Sequence, residues 1–214
     1  MSIPKPANEE QRVATLNQLD IINGKSEERF DRITRTLAAL LHVPVAMVNM
    51  ITPEMQINKS CFGLASGFEM ERDTSFCGYT ILDDQPLIIR DALKDDRFKN
   101  NPNVTGGLKI RAYAGIPLSA LDGTHPGALC LIDTKPREFT ATEMQLLKDL
   151  SAWAEIELNS SQLREALDEV KKAHQALADQ LAETKRVNEL MVGRELKMVQ
   201  MKDKIQELEA KLAR

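Results

Sequence analysis

Apolar positions along the chain change period several times, and each change predicts a change of element. Between residues 9 and 22, Val13, Leu16, Leu19 and Ile22 recur at helical spacing, so an entry helix is expected that stops at Asn23-Gly24, a natural left-handed cap. A second helix should start with Ser26 as N-cap and run through Phe30, Ile33, Leu37, Leu40 and Leu41 before Pro44. The segment VAMVNMI, residues 45 to 51, is short and apolar and opens with valine, which predicts a buried strand. Another strand is expected near Gln56 to Phe62, a short helix over Asp73 to Leu82 capped by Asp73, Thr74 or Ser75, and a third strand at PLIIRD. The stretch DDRFKNNPNVTGG is rich in turn formers and predicts a long loop with at most one helical turn.

The next strand, IRAYAGIPL, separates by parity. Ile110, Ala112, Ala114, Ile116 and Leu118 share one face, expected to seek a core, while Arg111, Tyr113, Gly115 and Pro117 share the other, expected to meet something more polar. LDGTHPG predicts a hairpin connection and ALCLID the last strand. Helices, strands and hairpin in this order describe an α+β domain around a central antiparallel sheet.

From Thr140 onward there is no proline and one glycine, Gly193, which predicts one long helix entered through TATEM. Met144, Leu147, Leu150 and Ala154 continue its first stripe, and the poor helix formers of LNSSQ suggest where the domain ends, dividing the chain into 1–157 and 158–214. Beyond that joint a 4-3 spacing runs through Leu163, Leu167, Val170, His174, Leu177, Leu181 and Thr184, and then through Val187, Met191, Arg194, Met198, Met201, Ile205, Leu208 and Leu212. The two runs meet in consecutive steps of three, a stammer. A narrow apolar seam of this kind needs cover, and a parallel homodimeric coiled coil is the expected arrangement, with a helix folded back on its own domain as the alternative. His174, Thr184 and Arg194 interrupt the seam, either setting register or being tolerated.

Composition narrows the function. Lys and Arg total 28 against 32 Asp and Glu, a formal charge of −4 with no long run of one sign, so neither nucleic acid nor an anionic membrane surface is expected as partner. No apolar leader or membrane-spanning stretch is read, and a cytoplasmic protein without membrane insertion is expected. Three cysteines, Cys61, Cys77 and Cys130, are widely spaced and contain no CxxC pair, and the histidines at 42, 125 and 174 are scattered, so no disulfide framework or metal site is expected. Cys77 lies in DTSFCGYTILDDQPLIIRD and reads first as a packed thiol, with ligand contact and then covalent or redox chemistry as the alternatives. Cys130 reads as core. Asp91 and Arg111 are candidates to pair with each other or to face a ligand's polar group.

SEERFDRITRTLAALLHVPVAMVNMI, the Cys77 segment continued through DALKDDRFKNNPNVTG, and IRAYAGIPLSALDGTHPGALCLIDTKPREFTATEMQLLKDLSAWAE together resemble a bacterial GAF domain over roughly residues 14 to 157. NELMVGRELKM resembles the helical signalling segments that follow sensor domains and precede kinase modules. The resemblance implies a five- or six-stranded antiparallel sheet with terminal helices on one face and a ligand pocket on the other. Phe76, Cys77, Tyr79, Asp91, Arg111 and Tyr113 would then be the ligand-binding set. Tyr79 stands where such domains often carry histidine, and Ile57 and Asn58 where they often carry an aromatic. The flanks that tether a linear tetrapyrrole to cysteine are not found, so the cofactor is left unassigned. The implied function is a non-enzymatic, dimeric sensory or regulatory module, as in two-component systems, that reads a small molecule or other signal and passes it along the coil to a protein partner such as a kinase or regulator. The alternatives are a ligand-free dimerisation scaffold and a GAF-fold methionine sulfoxide reductase.

Overall fold

The computed structural model describes residues 3–19, 21–22, 27–65 and 68–212, the last with the side chains of 206–208 and 210–212 left aside. Asn23-Gly24 and Ser26 therefore lie outside the described residues, as do the Leu208 and Leu212 side chains. The chain divides into two units, Met1–Gln162 and Leu163–Arg214.

The first unit opens with α1 (Glu9–Gln18), which ends four residues before Ile22, and continues with α2 (Glu28–Leu41). One side of α2 buries Phe30, Ile33, Leu37 and Leu41, whereas Leu40 of the expected stripe is exposed, and His42 closes the helix in the left-handed conformation at φ 52°. The strands are β1 (Val45–Ile51), β2 (Met55–Phe62), β3 (Glu69–Glu71), β4 (Leu87–Ile89), β5 (Ala112–Leu118) and β6 (Gly127–Asp133). They form one antiparallel sheet in the order β3-β2-β1-β6-β5-β4. PLIIRD supplies the fourth strand rather than the third, because the edge strand β3 precedes it. With three residues, Glu69 and Glu71 exposed on either side of a half-buried Met70, β3 is too short for its alternation to stand out as a strand signal. Between β3 and β4 come a 3-10 turn, Arg72–Thr74, and α3 (Phe76–Thr80), and α4 (Pro102–Thr105) is the single helical turn of the long loop.

Alternation along the strands builds a core on each face of the sheet. Ala46, Val48 and Met50 of β1, Ala114, Ile116 and Leu118 of β5, and Leu129 and Leu131 of β6 meet the helices. Val45, Met47 and Ile51, Tyr113, and Ala128, Cys130 and Ile132 point the other way. Ile110 belongs to this second core and not, as its parity predicts, to the first. Lys109 adopts φ 51° and β5 begins only at Ala112, so strand alternation does not extend back to Ile110.

α5 (Ala141–Leu212) is continuous through LNSSQ. Its start is a capping box: Thr140 Oγ1 accepts from the Glu143 backbone N–H at 3.2 Å, and the Glu143 carboxylate accepts from the Thr140 N–H at 2.8 Å. Leu147, Leu150, Ala154 and Leu158 are buried in the first unit. In the second unit every described side chain is exposed, including the seam residues Leu163, Leu167, Val170, Leu177, Leu181, Val187, Met191, Met198, Met201 and Ile205. Leu190, Val192, Leu196 and Val199 are exposed as well, apolar positions beside the seam that the 4-3 pattern leaves out.

Candidate functional site

The face away from the helices collects most of the chemistry in the molecule. α3 is held there by its own N-cap: Ser75 Oγ accepts from the Gly78 N–H at 2.9 Å and donates to Gln56 Oε1 at 2.5 Å. This seats Phe76 on Phe98, ring centroids 4.0 Å apart and nearly parallel, and brings it within 5.2 Å of the Tyr113 ring. Tyr79 meets Phe98 edge-on at 4.9 Å. Tyr113 lies over Gly115, where a Cβ would come within 2.2 Å of the phenolic oxygen, so the side chain fits only because residue 115 is glycine.

At the centre of this layer, Cys77 Sγ lies 3.3 Å from the Tyr113 hydroxyl, 3.2 Å from Asn49 Nδ2 and 3.5 Å from Cys130 Sγ. Asn49 Nδ2 also reaches Cys130 Sγ at 3.4 Å, and the Tyr113 hydroxyl is 2.6 Å from Thr80 Oγ1. Burial pushes the Cys77 thiol up, but hydrogen bonding with Cys130, Tyr113 and Asn49 outweighs it and leaves the group below its ordinary value. Cys130 is pushed well up, first by its bond to Cys77 and then by burial. Burial, reinforced by the neighbouring sulfurs, does the same to Tyr113.

A family model for the GAF domain matches residues 26–158, well over half of the chain. The chain belongs to the GAF domain family. Within the relatives compared, it is 35% identical over 134 residues to the cyclic di-GMP phosphodiesterase PA2567 of Pseudomonas aeruginosa. That segment is 63% of this chain but only 23% of the phosphodiesterase. The GAF domain of Thermosynechococcus elongatus PixJ, in its blue-light absorbing form, superposes with a TM-score of 0.54 at 14% identity, covering 80% of this chain and 99% of that one. The GAF domain of a two-component sensor histidine kinase from Bacillus halodurans gives 0.51 at 13% identity, covering 64% and 96%. At these identities the structural likeness speaks for the fold.

Within the GAF unit, the six residues expected to bind a ligand separate into groups. Phe76, Cys77 and Tyr113 come together in the closed cluster, all buried. Tyr79 lines a small cleft of about 250 Å³ with Leu82, Asp83 and Arg97. Asp91 lines a wider one of about 480 Å³ with Arg90, Lys94 and Arg137. Arg111 donates to the carbonyls of Val104 and Ile110 at 2.8 and 2.9 Å, whereas Asp91 pairs with Lys94 at 3.0 Å, the interaction that chiefly lowers its pKa. The face expected to turn polar side chains toward a pocket is, around Tyr113, Gly115 and Pro117, packed shut.

Asn49, Thr80 and Phe98 belong to the cluster but were not among the expected site residues. The signal for Asn49 is visible in VAMVNMI, where one amide interrupts a run of apolar side chains on a central strand. Phe98 had no such signal, since it arrives from the long loop.

Proposed function

We propose that this GAF chain is a regulatory module without catalytic activity of its own, which pairs with a second copy through the α5 seam and passes the state of its sensory domain to a protein partner or a joined output domain. The observation that carries this reading is the seam itself. Ten apolar side chains at 4-3 spacing, from Leu163 to Ile205, stand in water in the single chain, and a parallel second copy would bury them layer by layer. The phase break between Leu181, Thr184 and Val187 is the place where a rotation of the domains could shift the coil between two packings. The GAF segment shared with the phosphodiesterase makes cyclic-dinucleotide turnover one output such a module could govern, and the kinase-derived neighbour makes phosphotransfer another.

Sedimentation velocity on the full chain tests the pairing. An elongated dimer at micromolar concentration is expected, converted to monomer by the double substitution Leu177→Asp and Leu181→Asp with the domain still folded by circular dichroism. A wild-type chain that stays monomeric there overturns the proposal.

A further inference from the structure

Two donors and a second thiol converging on one buried sulfur ask for an explanation that packing does not give. A thiol that merely fills space needs no partners and behaves as a small hydrophobe. Cys77, 2% exposed, instead faces the Asn49 amide from β1, the Tyr113 hydroxyl from β5 and the Cys130 thiol from β6. Burying an amide in the middle of the sheet is costly unless it is hydrogen-bonded, and Asn49 spends its Nδ2 on the two sulfurs while its Oδ1 finds no partner among the described residues. An arrangement of donors around a sulfur is what stabilises a thiolate, the reactive form. A second thiol already lies in van der Waals contact with it.

We propose that Cys77 and Cys130 form a hydroperoxide-sensitive dithiol, with Cys77 as the attacking sulfur and Cys130 as the resolving one. In the first step the Cys77 thiolate attacks the terminal peroxide oxygen and the O–O bond breaks. The sulfur becomes a sulfenic acid, and the departing alkoxide or hydroxide takes up the proton that Cys77 had released. In the second, the Cys130 sulfur attacks Cys77, the S–O bond breaks, and hydroxide leaves as water with the Cys130 proton. Two thiols lose two electrons and two protons; the hydroperoxide is reduced to an alcohol, or to water, plus one water. The burial of both sulfurs restricts the oxidant to a small molecule that enters when the five-residue α3 opens locally. The bond would tie α3 to β6 and take Cys77 away from Tyr113 and Asn49.

This deepens the regulatory reading by naming a signal, and it rests on that reading for its purpose but not for its chemistry. The test reads thiols in the chain whatever its oligomeric state, so its failure and that of the coiled-coil proposal are distinguishable. The full-length protein is treated with hydrogen peroxide, denatured in the presence of an alkylating agent, digested and analysed by mass spectrometry. Of the three cysteines, alkylation should fall from three to one, the survivor being Cys61, with a Cys77–Cys130 cross-linked peptide that dithiothreitol removes. In Cys130→Ser a sulfenic-acid trap such as dimedone should label Cys77, and in Cys77→Ser no label should appear on Cys130. Retention of both buried thiols at a peroxide dose that oxidises the more accessible Cys61, or a disulfide that includes Cys61, overturns the proposal, and the wild-type measurement decides this even where a serine variant fails to fold.

Discussion

The two faces of the sheet are built from the same strands and yet differ in kind. β1 sends Val48 and Met50 toward the helices and Met47 and Asn49 the other way, while β6 sends Leu129 and Leu131 one way and Cys130 the other. The helix-covered core is mostly aliphatic, with rings such as Phe30 and the thioether of Met50 among its described residues, and no thiol or phenol belongs to it. Across the sheet, thiols, a phenol, an amide and stacked rings lie within bonding distance of one another. Both are closed to water, so burial alone does not separate structure from chemistry. What separates them is whether the buried groups have specific partners.

The contrast is sharpest in stability. Leu37, fully buried among aliphatic neighbours, should lose about 3 kcal/mol on Leu37→Ala, measured by urea denaturation. A loss under about 1 kcal/mol, the scale of a readily relaxed site, would mean that this face can collapse around a cavity.

The next effect lies outside both faces. Glu9 neutralises two guanidiniums, those of Arg12 and Arg72, whose side chains are 1% and 3% exposed, and Arg12 also donates to the Ile51 carbonyl. Partial burial works against its charge, but the two arginines outweigh it and hold the carboxyl at about 2 instead of 4.5. Because the folded value is the depressed one, Glu9 contributes fully above its ordinary pKa, and the contribution is lost as pH falls from 4.5 toward 2. Glu9→Gln should therefore cost ~2 kcal/mol at pH 7 by leaving buried cations uncompensated, and the gap between variant and wild type should narrow in acid. A gap that stays constant from pH 7 to pH 3 would argue that Glu9 acts by shape and not by charge.

On the chemical face the effects should be smaller. Tyr113→Phe keeps the ring on Phe76 but leaves Thr80 and Cys77 without the phenol, at ~1.5 kcal/mol in denaturation. Cys77→Ala should cost ~1 kcal/mol with the fold intact by circular dichroism. A cost near that of Leu37→Ala would make Cys77 a packing residue on the same terms as the aliphatic core, and the difference between the faces would lose its meaning.

Much of this was open to reading in the chain. VAMVNMI becomes β1 with the bounds its apolar run predicts, and Thr140 with Glu143 caps α5 as TATEM suggests, because period and capping are local properties that a few neighbouring residues settle. The 4-3 seam is equally local, since helical spacing needs no tertiary contact to be seen. Where such patterns fail, the cause is the rest of the fold. β3 is a strand only because β2 offers it an edge, through pairs such as Gln56 with Met70, and nothing in Glu69–Glu71 announces it. Ile110 changes face because Lys109 turns the backbone before β5 begins. The candidate site shows the same division. Sequence identifies Cys77 and Cys130 as free thiols separated by 53 positions, but only the register of β1 against β6 and the docking of α3 bring their sulfurs to 3.5 Å, with Asn49 and Tyr113 beside them. Periodicity fixes which way a side chain points from its own element. Which other side chains it then meets depends on long-range pairing, and that is decided when the whole sheet closes around its two cores.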